Sequence, residues 1–216
     1  MIIDENIAKK TALHLLQINA IKLNPENPFT WASGWKSPIY CDNRIVLSFP
    51  EVRKFLSQSL AEKINKEFNG DFIIAGVATG AIGIGMLVAQ ELEKPFIYVR
   101  PKPKEHGQKN QIEGQFYPGQ RVVVIEDLIS TGMSSLNAVQ ALKDQNAEVL
   151  GMMALFTYGF PQADVAFQEA NLKLQTLCDY SHLIREALET KQIDSTQAEH
   201  LKNWRKNPSE WDAKDK

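Results

Sequence analysis

The sequence has few of the features that define several protein classes. It contains two cysteines, Cys41 and Cys178, among 216 residues. That number excludes a disulfide framework or a four-cysteine zinc site and is typical of a reducing compartment. No apolar run approaches the ~18–20 residues that span a membrane. The N-terminus lacks the basic start and apolar core of a signal peptide. We therefore expect a cytoplasmic protein with no membrane partner.

An excess of charge of one sign is also absent. Lysine and arginine number 24 against 26 aspartates and glutamates, for a net charge of −2. A balance of this kind gives no general attraction to nucleic acid, so we expect no nucleic-acid partner and only local anion binding. Hydrophobic residues make up 44% and charged residues 23% of the chain, which is ordinary for a globular protein. The length suits a single large domain.

Strand and helix patterns alternate regularly from Pro50 onward. Short apolar runs predict five strands, at residues 72–77, 96–99, 121–126, 149–158 and 173–178. Helical periodicity between them predicts right-handed βαβ units, and hence an α/β fold with a central, mostly parallel five-stranded sheet flanked by helices. The predicted parts of this single domain are an N-terminal helix and hood segment, an α/β core and a C-terminal helical tail, at 1–50, 51–180 and 181–216.

One stretch combines carboxylates with hydroxyls. The apolar residues 122–125 lead into Glu126 and Asp127, and hydroxyls and a glycine follow where a helix begins. Free N–H groups and the helix dipole at such a point attract an anion. The carboxylates are suited to accept hydrogen bonds from a sugar or to hold a metal through water. We predict a phosphate cradle. The alternative is that Ser134 or Ser135 only caps the helix.

Two further loops follow neighbouring predicted strands. Glycines within residues 76–85 allow close backbone approach to a ligand. Val88 stands where a dinucleotide fingerprint needs its third glycine, and no P-loop lysine follows. Close helix–strand packing is the alternative explanation. The second loop, 100–114, is rich in basic residues and predicts either a lid over a polyanion or a solvated charged loop: Arg100, Lys102, Lys104, His106 and Lys109.

Aromatic residues surround a turn signal in residues 29–49, which predicts a small hairpin, either a packing flap or a hood over a ligand. Its polar members of interest are Lys36, Asp42 and Arg44. A hood, glycine amides, a hydroxyl cradle with carboxylates and a basic loop together suit one substrate class. That class is a sugar phosphate that also carries a second, more heavily charged phosphate group.

Residues 122–134 resemble the phosphoribosyl diphosphate motif of the type I phosphoribosyltransferases. Residues 29–40 resemble the N-terminal substrate-side segment of the orotate phosphoribosyltransferases within that family. Residues 100–107 resemble their flexible catalytic loop. The resemblance implies the type I phosphoribosyltransferase fold. It also implies transfer of the phosphoribosyl group from phosphoribosyl diphosphate to N1 of orotate. Transfer to another base, a non-catalytic phosphoribosyl diphosphate sensor and a generic nucleotide-binding module are the alternatives.

The resemblance also assigns residues. Glu126 and Asp127 would hold the ribose hydroxyls, beside a magnesium ion held mainly by the substrate and with no firm protein ligand. The 5-phosphate would lie on Leu128, Ile129, Ser130, Thr131, Gly132, Met133 and Ser134. Pyrophosphate would lie on Arg100, Lys104 and His106, which with Asp127 form the catalytic set. Lys104 and His106 would come from the partner subunit of an obligate homodimer.

Four features depart from the pattern of many family members. Residues 76–85 lack the lysine that the first glycine loop often carries for pyrophosphate. Ala32 stands where a lysine often precedes the Ser–Gly turn, and Pro101 where a basic residue often follows the loop arginine. Tyr158 stands where an arginine often lies near orotate. Ser130 occupies a position at which the family contacts orotate. We hypothesise that Lys36 supplies the positive charge for the orotate carboxylate.

Overall fold

The N-terminal segment forms a helix followed by two small antiparallel pairs of strands. The computed structural model describes residues 2, 4–31, 34–102 and 111–211. Helix α1 begins after Asp4, whose side chain accepts hydrogen bonds from two backbone N–H groups of the first turn. The strands are β1 (Ile21–Leu23), β2 (Phe29–Thr30), β3 (Lys36–Ser37) and β4 (Ile39–Cys41), and α1 spans Glu5–Gln17. β1 pairs with β4 and β2 with β3, which confirms the predicted hairpin.

A six-stranded sheet forms the centre of the structure. Its strands are β5 (Ile73–Val77), β6 (Phe96–Val99), β7 (Ile112–Glu113), β8 (Arg121–Ile129), β9 (Glu148–Thr157) and β10 (Leu174–Asp179). The order is β10-β9-β8-β5-β6-β7, and only the β6–β7 pair is antiparallel. The predicted mostly parallel sheet is confirmed, but the count of five strands was too low. The two residues of β7 are too few to show a periodic pattern.

Helices cover both faces of the sheet. They are α2 (Pro50–Glu67), α3 (Ala81–Glu91), α4 (Met133–Asp144), α5 (Pro161–Glu169), α6 (Tyr180–Glu189) and α7 (Ser195–Lys206), and a 3-10 helix spans Asn43–Ser48. Alternate residues of β8 point to opposite faces. Val123 belongs to the apolar core that includes residues of α1, α2, α3, α6 and α7, whereas Val124 belongs to the core that includes residues of α4 and α5. The strand is therefore buried on both sides, as its continuous apolar run indicates.

The C-terminal tail comprises two helices that return to the N-terminal half. Helix α6 is tied to α1 through His182, which contacts Asp179 at 2.8 Å and Glu5 at 2.9 Å. Helix α7 starts at a capping box formed by Asp194 and Gln197. Among the described residues, no helix is both long enough and apolar enough to cross a membrane.

Candidate functional site

The acidic pair lies inside a strand rather than after it. Strand β8 was predicted to end at Glu126, but it continues to Ile129 along β9. On its other side, the pairing with β5 ends at Ile125. The backbone of residues 126–129 is thus paired on one side only, and the site opens between the ends of β5 and β8. Successive strand residues face opposite sides, so Glu126 and Asp127 have different surroundings.

Glu126 is buried and fully engaged within the chain. It is 4% exposed. The Ser135 hydroxyl donates to its Oε2 at 2.8 Å, and the Asp127 backbone N–H donates to its Oε1 at 3.0 Å. Burial, together with the neighbouring Asp127 carboxylate, raises the pKa of Glu126 well above its usual value. Glu126 therefore anchors the first turn of α4 to β8. Its predicted contact with a ribose hydroxyl stays a prediction.

Asp127 is half-buried and held by two distant segments. The Asn43 side-chain amide donates to its backbone carbonyl at 2.7 Å. Its carboxylate lies against Gly80, where an added Cβ would come within 2.4 Å of the carboxyl carbon and both oxygens. Only glycine allows this approach. The structure thus brings the first glycine loop against the acidic stretch.

The other glycines of that loop serve packing. A Cβ at Gly83 would meet the Leu47 side chain at 2.7 Å, and one at Gly76 would meet the Ala81 carbonyl oxygen at 2.7 Å. Gly85 packs against the ring of Phe96. The packing alternative is therefore correct for these three positions. Gly80 alone among the four glycines contacts a predicted site residue.

The hydroxyl-rich turn ends in an open helix N-terminus. Gly132, with φ +83°, is the N-cap residue just before α4, and no side chain of the described residues caps the helix. The alternative in which Ser134 or Ser135 caps this helix is wrong, because Gly132 is the N-cap residue and both serines lie within α4. Ser135 is instead buried and bonded to Glu126. Without a side-chain cap, the first N–H groups of α4 remain suited to bind an anion. Phosphate oxygens are acceptors of the required kind.

The predicted phosphate-binding residues differ in accessibility. Met133 and Ser134 are exposed at the start of α4, and Ser130 and Thr131 are half-buried in the turn. The two strand residues, Leu128 and Ile129, pack their side chains into the apolar cores, so only their backbone groups can face a ligand. The turn therefore offers backbone amides and three hydroxyls.

Arg100 lies at the neck of the basic loop. It follows β6, two strands from β8, a separation of about 10 Å across the sheet. Its N–H donates to the Gln111 carbonyl at 2.8 Å, and the Gln111 amide donates back to the Arg100 carbonyl at 2.9 Å. Its guanidinium lies 3.7 Å from Glu113. Lys104 and His106 lie outside the described residues.

Aromatic rings connect the N-terminal hairpin to the residues that follow β9. Tyr158 is buried, with its ring centroid 5.3 Å from those of Trp31 and Phe160. Burial raises its pKa well above the usual tyrosine value, so the residue stays neutral. Tyr158 therefore contributes a neutral, packed ring and no positive charge at this position. Lys36 is exposed and donates to the Thr30 hydroxyl at 2.7 Å.

Sequence reasoning missed the residues that hold the site together. Asn43 and Gly80 both contact Asp127, from 84 and 47 positions away in the sequence. No local pattern predicts contacts between residues so far apart. Ser135 was recognised as a hydroxyl at a helix start, but its bond to Glu126 required the fold. The buried Trp204 of α7 was also missed, and its ring centroid lies 5.8 Å from that of Tyr158. Among the described residues, histidine, cysteine, aspartate and glutamate form no cluster of three that would hold a metal.

Known proteins are similar to this chain in both sequence and fold. The model of the phosphoribosyl transferase domain matches residues 51–172. The chain is 52% identical over 96% of its length to the orotate phosphoribosyltransferase of Porphyromonas gingivalis, and 54% identical over 97% to that of Phocaeicola vulgatus. It covers 99% of each relative.

Two solved structures are similar over most of the chain. The orotate phosphoribosyltransferase of Aeropyrum pernix is similar with a TM-score of 0.72 and 26% identity, covering 85% of this chain and 99% of that one. The UMP synthase of Leishmania donovani is similar with a TM-score of 0.78 and 25% identity. That match covers 92% of this chain and 42% of that one.

Proposed function

The chain belongs to the orotate phosphoribosyltransferases of the phosphoribosyltransferase family, and we propose that it carries out their reaction. It transfers the phosphoribosyl group of 5-phosphoribosyl 1-diphosphate to N1 of orotate, giving orotidine 5-phosphate and pyrophosphate for pyrimidine biosynthesis. The observation that supports this most is the uncapped N-terminus of α4 beside the half-buried Asp127. An anion site next to a carboxylate matches a ribose 5-phosphate.

The 5-phosphate lies on the turn 130–134 in this proposal. Backbone N–H groups of the first turn of α4 donate to the phosphate oxygens, together with the hydroxyls of Ser130, Thr131 and Ser134. Asp127 accepts hydrogen bonds from a ribose hydroxyl. Glu126 supports the turn from behind through Ser135. The sugar is thereby held with its anomeric carbon towards the ends of β5 and β6, where the leaving group departs.

The chemical step needs charge stabilisation more than a base. The bond from the anomeric carbon to pyrophosphate breaks as N1 of orotate forms its bond to that carbon. Positive charge develops on the ribose ring and negative charge on the pyrophosphate. Arg100, Lys104 and His106 stabilise the leaving group in this proposal, because preorganised donors lower the energy of developing charge. His106 is also the group proposed to handle a proton.

Magnesium fits the donors of the site. The ion prefers oxygen ligands, retains several waters and binds one or two carboxylates together with substrate phosphates. Asp127 offers an accessible carboxylate of this kind. When bound, magnesium neutralises part of the charge on the leaving pyrophosphate. Asp127 and the substrate oxygens would hold it, mostly through water.

We also propose a cytoplasmic homodimer in which Lys104 and His106 act in the partner's site. Lys104→Ala is expected to lower the rate by on the order of 10²–10³. Mixing the Lys104→Ala protein with the Asp127→Asn protein tests whether Lys104 of one subunit acts in the site of the other. If Lys104 acts across the interface, a hybrid dimer keeps one intact site, so roughly a quarter of all sites recover on random mixing. If no activity returns in demonstrably mixed dimers, the sharing is wrong.

The proposed function is tested by the fall in orotate absorbance when phosphoribosyl diphosphate and magnesium are added. Orotate should be consumed in step with pyrophosphate release, and uracil, adenine and hypoxanthine should not react. Asp127→Asn should abolish most of the activity, whereas the control Asp144→Asn, at the far end of α4, should leave it unchanged. A flat trace with orotate and turnover of another base would contradict the assignment.

A further inference from the structure

Two adjacent residues of helix α7 contact the two segments that lie beside the base in the proposed function. These segments are the β2–β3 hairpin, called the hood, and residues 158–160, called the β9 loop. The hood strands have two residues each, and hairpins this short are not stable by themselves. Its position relative to the cradle must therefore come from contacts outside the hairpin.

Trp204 supplies the contact to the hood. Its side chain is fully buried, and its indole N–H donates to the carbonyl oxygen of Lys36 at 3.2 Å. Its ring lies edge-on to Trp31 of the hood segment, with the centroids 5.6 Å apart. The same ring lies 5.8 Å from Tyr158. A single side chain of α7 thus touches the hood and the β9 loop at once.

Arg205 supplies the contact to the β9 loop. Its guanidinium donates to the Gly159 carbonyl at 3.0 Å and to the Ser181 hydroxyl at 2.9 Å. It also lies 5.7 Å from the ring of Tyr180. Gly159 has φ +63°, and a Cβ there would come within 3.1 Å of the Arg205 Nη2. The loop backbone is therefore shaped around this guanidinium.

The β9 loop connects these contacts to the cradle. The N–H of Tyr158 donates to the carbonyl of Ile129 at 3.0 Å, where β8 gives way to the hydroxyl turn. A continuous series of contacts runs from Lys36 through Trp204 and the β9 loop to Ile129. In the proposed function, the base lies between the two ends of this series, with the hood on one side and the sugar on the other.

We propose that Trp204 and Arg205 are positioning residues that set the distance between hood and cradle and thereby the affinity for the base. The inference rests on the proposed function and deepens it, because it assigns to the C-terminal helix a part in binding orotate. Neither residue touches the substrate; both act through the Lys36 and Gly159 carbonyls. Their loss should therefore weaken binding of the base while leaving the phosphoribosyl diphosphate site intact.

Two variants and one control test the proposal. Trp204→Phe keeps an aromatic ring and removes the N–H donor, and Arg205→Gln removes the guanidinium. Each should raise KM for orotate by about three- to tenfold, the effect of losing one or two hydrogen bonds. KM for phosphoribosyl diphosphate should change less than about twofold. Lys202→Gln, an exposed position on the same helix, should change neither constant.

Hydrogen exchange of the hood gives a readout that does not depend on catalysis. Amides of residues 34–37 should exchange faster in Trp204→Phe and Arg205→Gln than in Lys202→Gln. Unchanged exchange would overturn the proposal. Faster exchange or a lower melting midpoint with an unchanged orotate KM would also overturn it, because the role would then be structural alone. If the wild-type chain transfers nothing to orotate, the proposed function fails, and the exchange data still decide whether these residues hold the hood.

Discussion

Gly80→Ala is expected to impair the site without disturbing the fold. The backbone at Gly80 is helical, with φ −62° and ψ −39°, so alanine is compatible there. A Gly-to-Ala change at such a position stabilises by about 0.4–1 kcal/mol through the unfolded chain. The new methyl group would lie 2.4 Å from the Asp127 carboxylate, which must then move. The substitution therefore displaces one functional group and little else.

The size of the effect follows from the bond that is lost. A hydrogen bond to a charged group contributes about 1.5–3 kcal/mol. Losing one such bond to a ribose hydroxyl lowers kcat/KM for phosphoribosyl diphosphate by about 10- to 150-fold. The assay is the fall in orotate absorbance at limiting phosphoribosyl diphosphate. Gly83→Ala, in the helix that Gly80 precedes, is the matched control, since the atoms nearest to its methyl group belong to the flexible Leu47 side chain.

A double-mutant cycle makes the reasoning refutable. Asp127→Ala removes the group that the methyl displaces, so adding Gly80→Ala to it should cost no further activity. If the two substitutions act additively, the methyl group acts elsewhere. If Gly80→Ala alone stays within about twofold of the wild-type kcat/KM, the Asp127 carboxylate is not held where the mechanism needs it.

Three further expectations concern stability and the base. Ser135→Ala removes the hydroxyl donor to buried Glu126 and should lower the unfolding free energy in urea by about 1–3 kcal/mol, whereas exposed Ser134→Ala should not. Burial opposes the charge of His182, but hydrogen bonds to two carboxylates raise its pKa. The charged His182 therefore stabilises the fold fully below pH ~6.5, and this stabilisation is lost as the pH rises through the raised pKa. His182→Gln should make the melting midpoint less dependent on pH between 5.5 and 8.5. Lys36→Ala should raise KM for orotate, and an unchanged KM would contradict that role.

The five parallel strands could be predicted because their signals are local. Each is a short apolar run bounded by polar residues, and regular alternation with helices implies a parallel sheet. β7 escaped prediction because two residues carry no period, and its pairing with β6 depends on the antiparallel return of the basic loop. The end of β8 was misplaced for a related reason. The acidic pair looks like a strand terminus, but β9 continues alongside it to Ile129.

The cradle was also predictable, since its carboxylates, hydroxyls and helix start are consecutive in the chain. Sequence alone therefore determined the parallel strands and the family, and the phosphate site stays its prediction. Only the tertiary structure decided the different surroundings of the two acidic residues. Glu126 is buried and bonded to Ser135, whereas Asp127 contacts Asn43 and Gly80. It also decided that Trp204 reaches the hood. Strand period and helix capping are properties of neighbouring residues, whereas burial and long-range hydrogen bonds exist only after distant segments pack together.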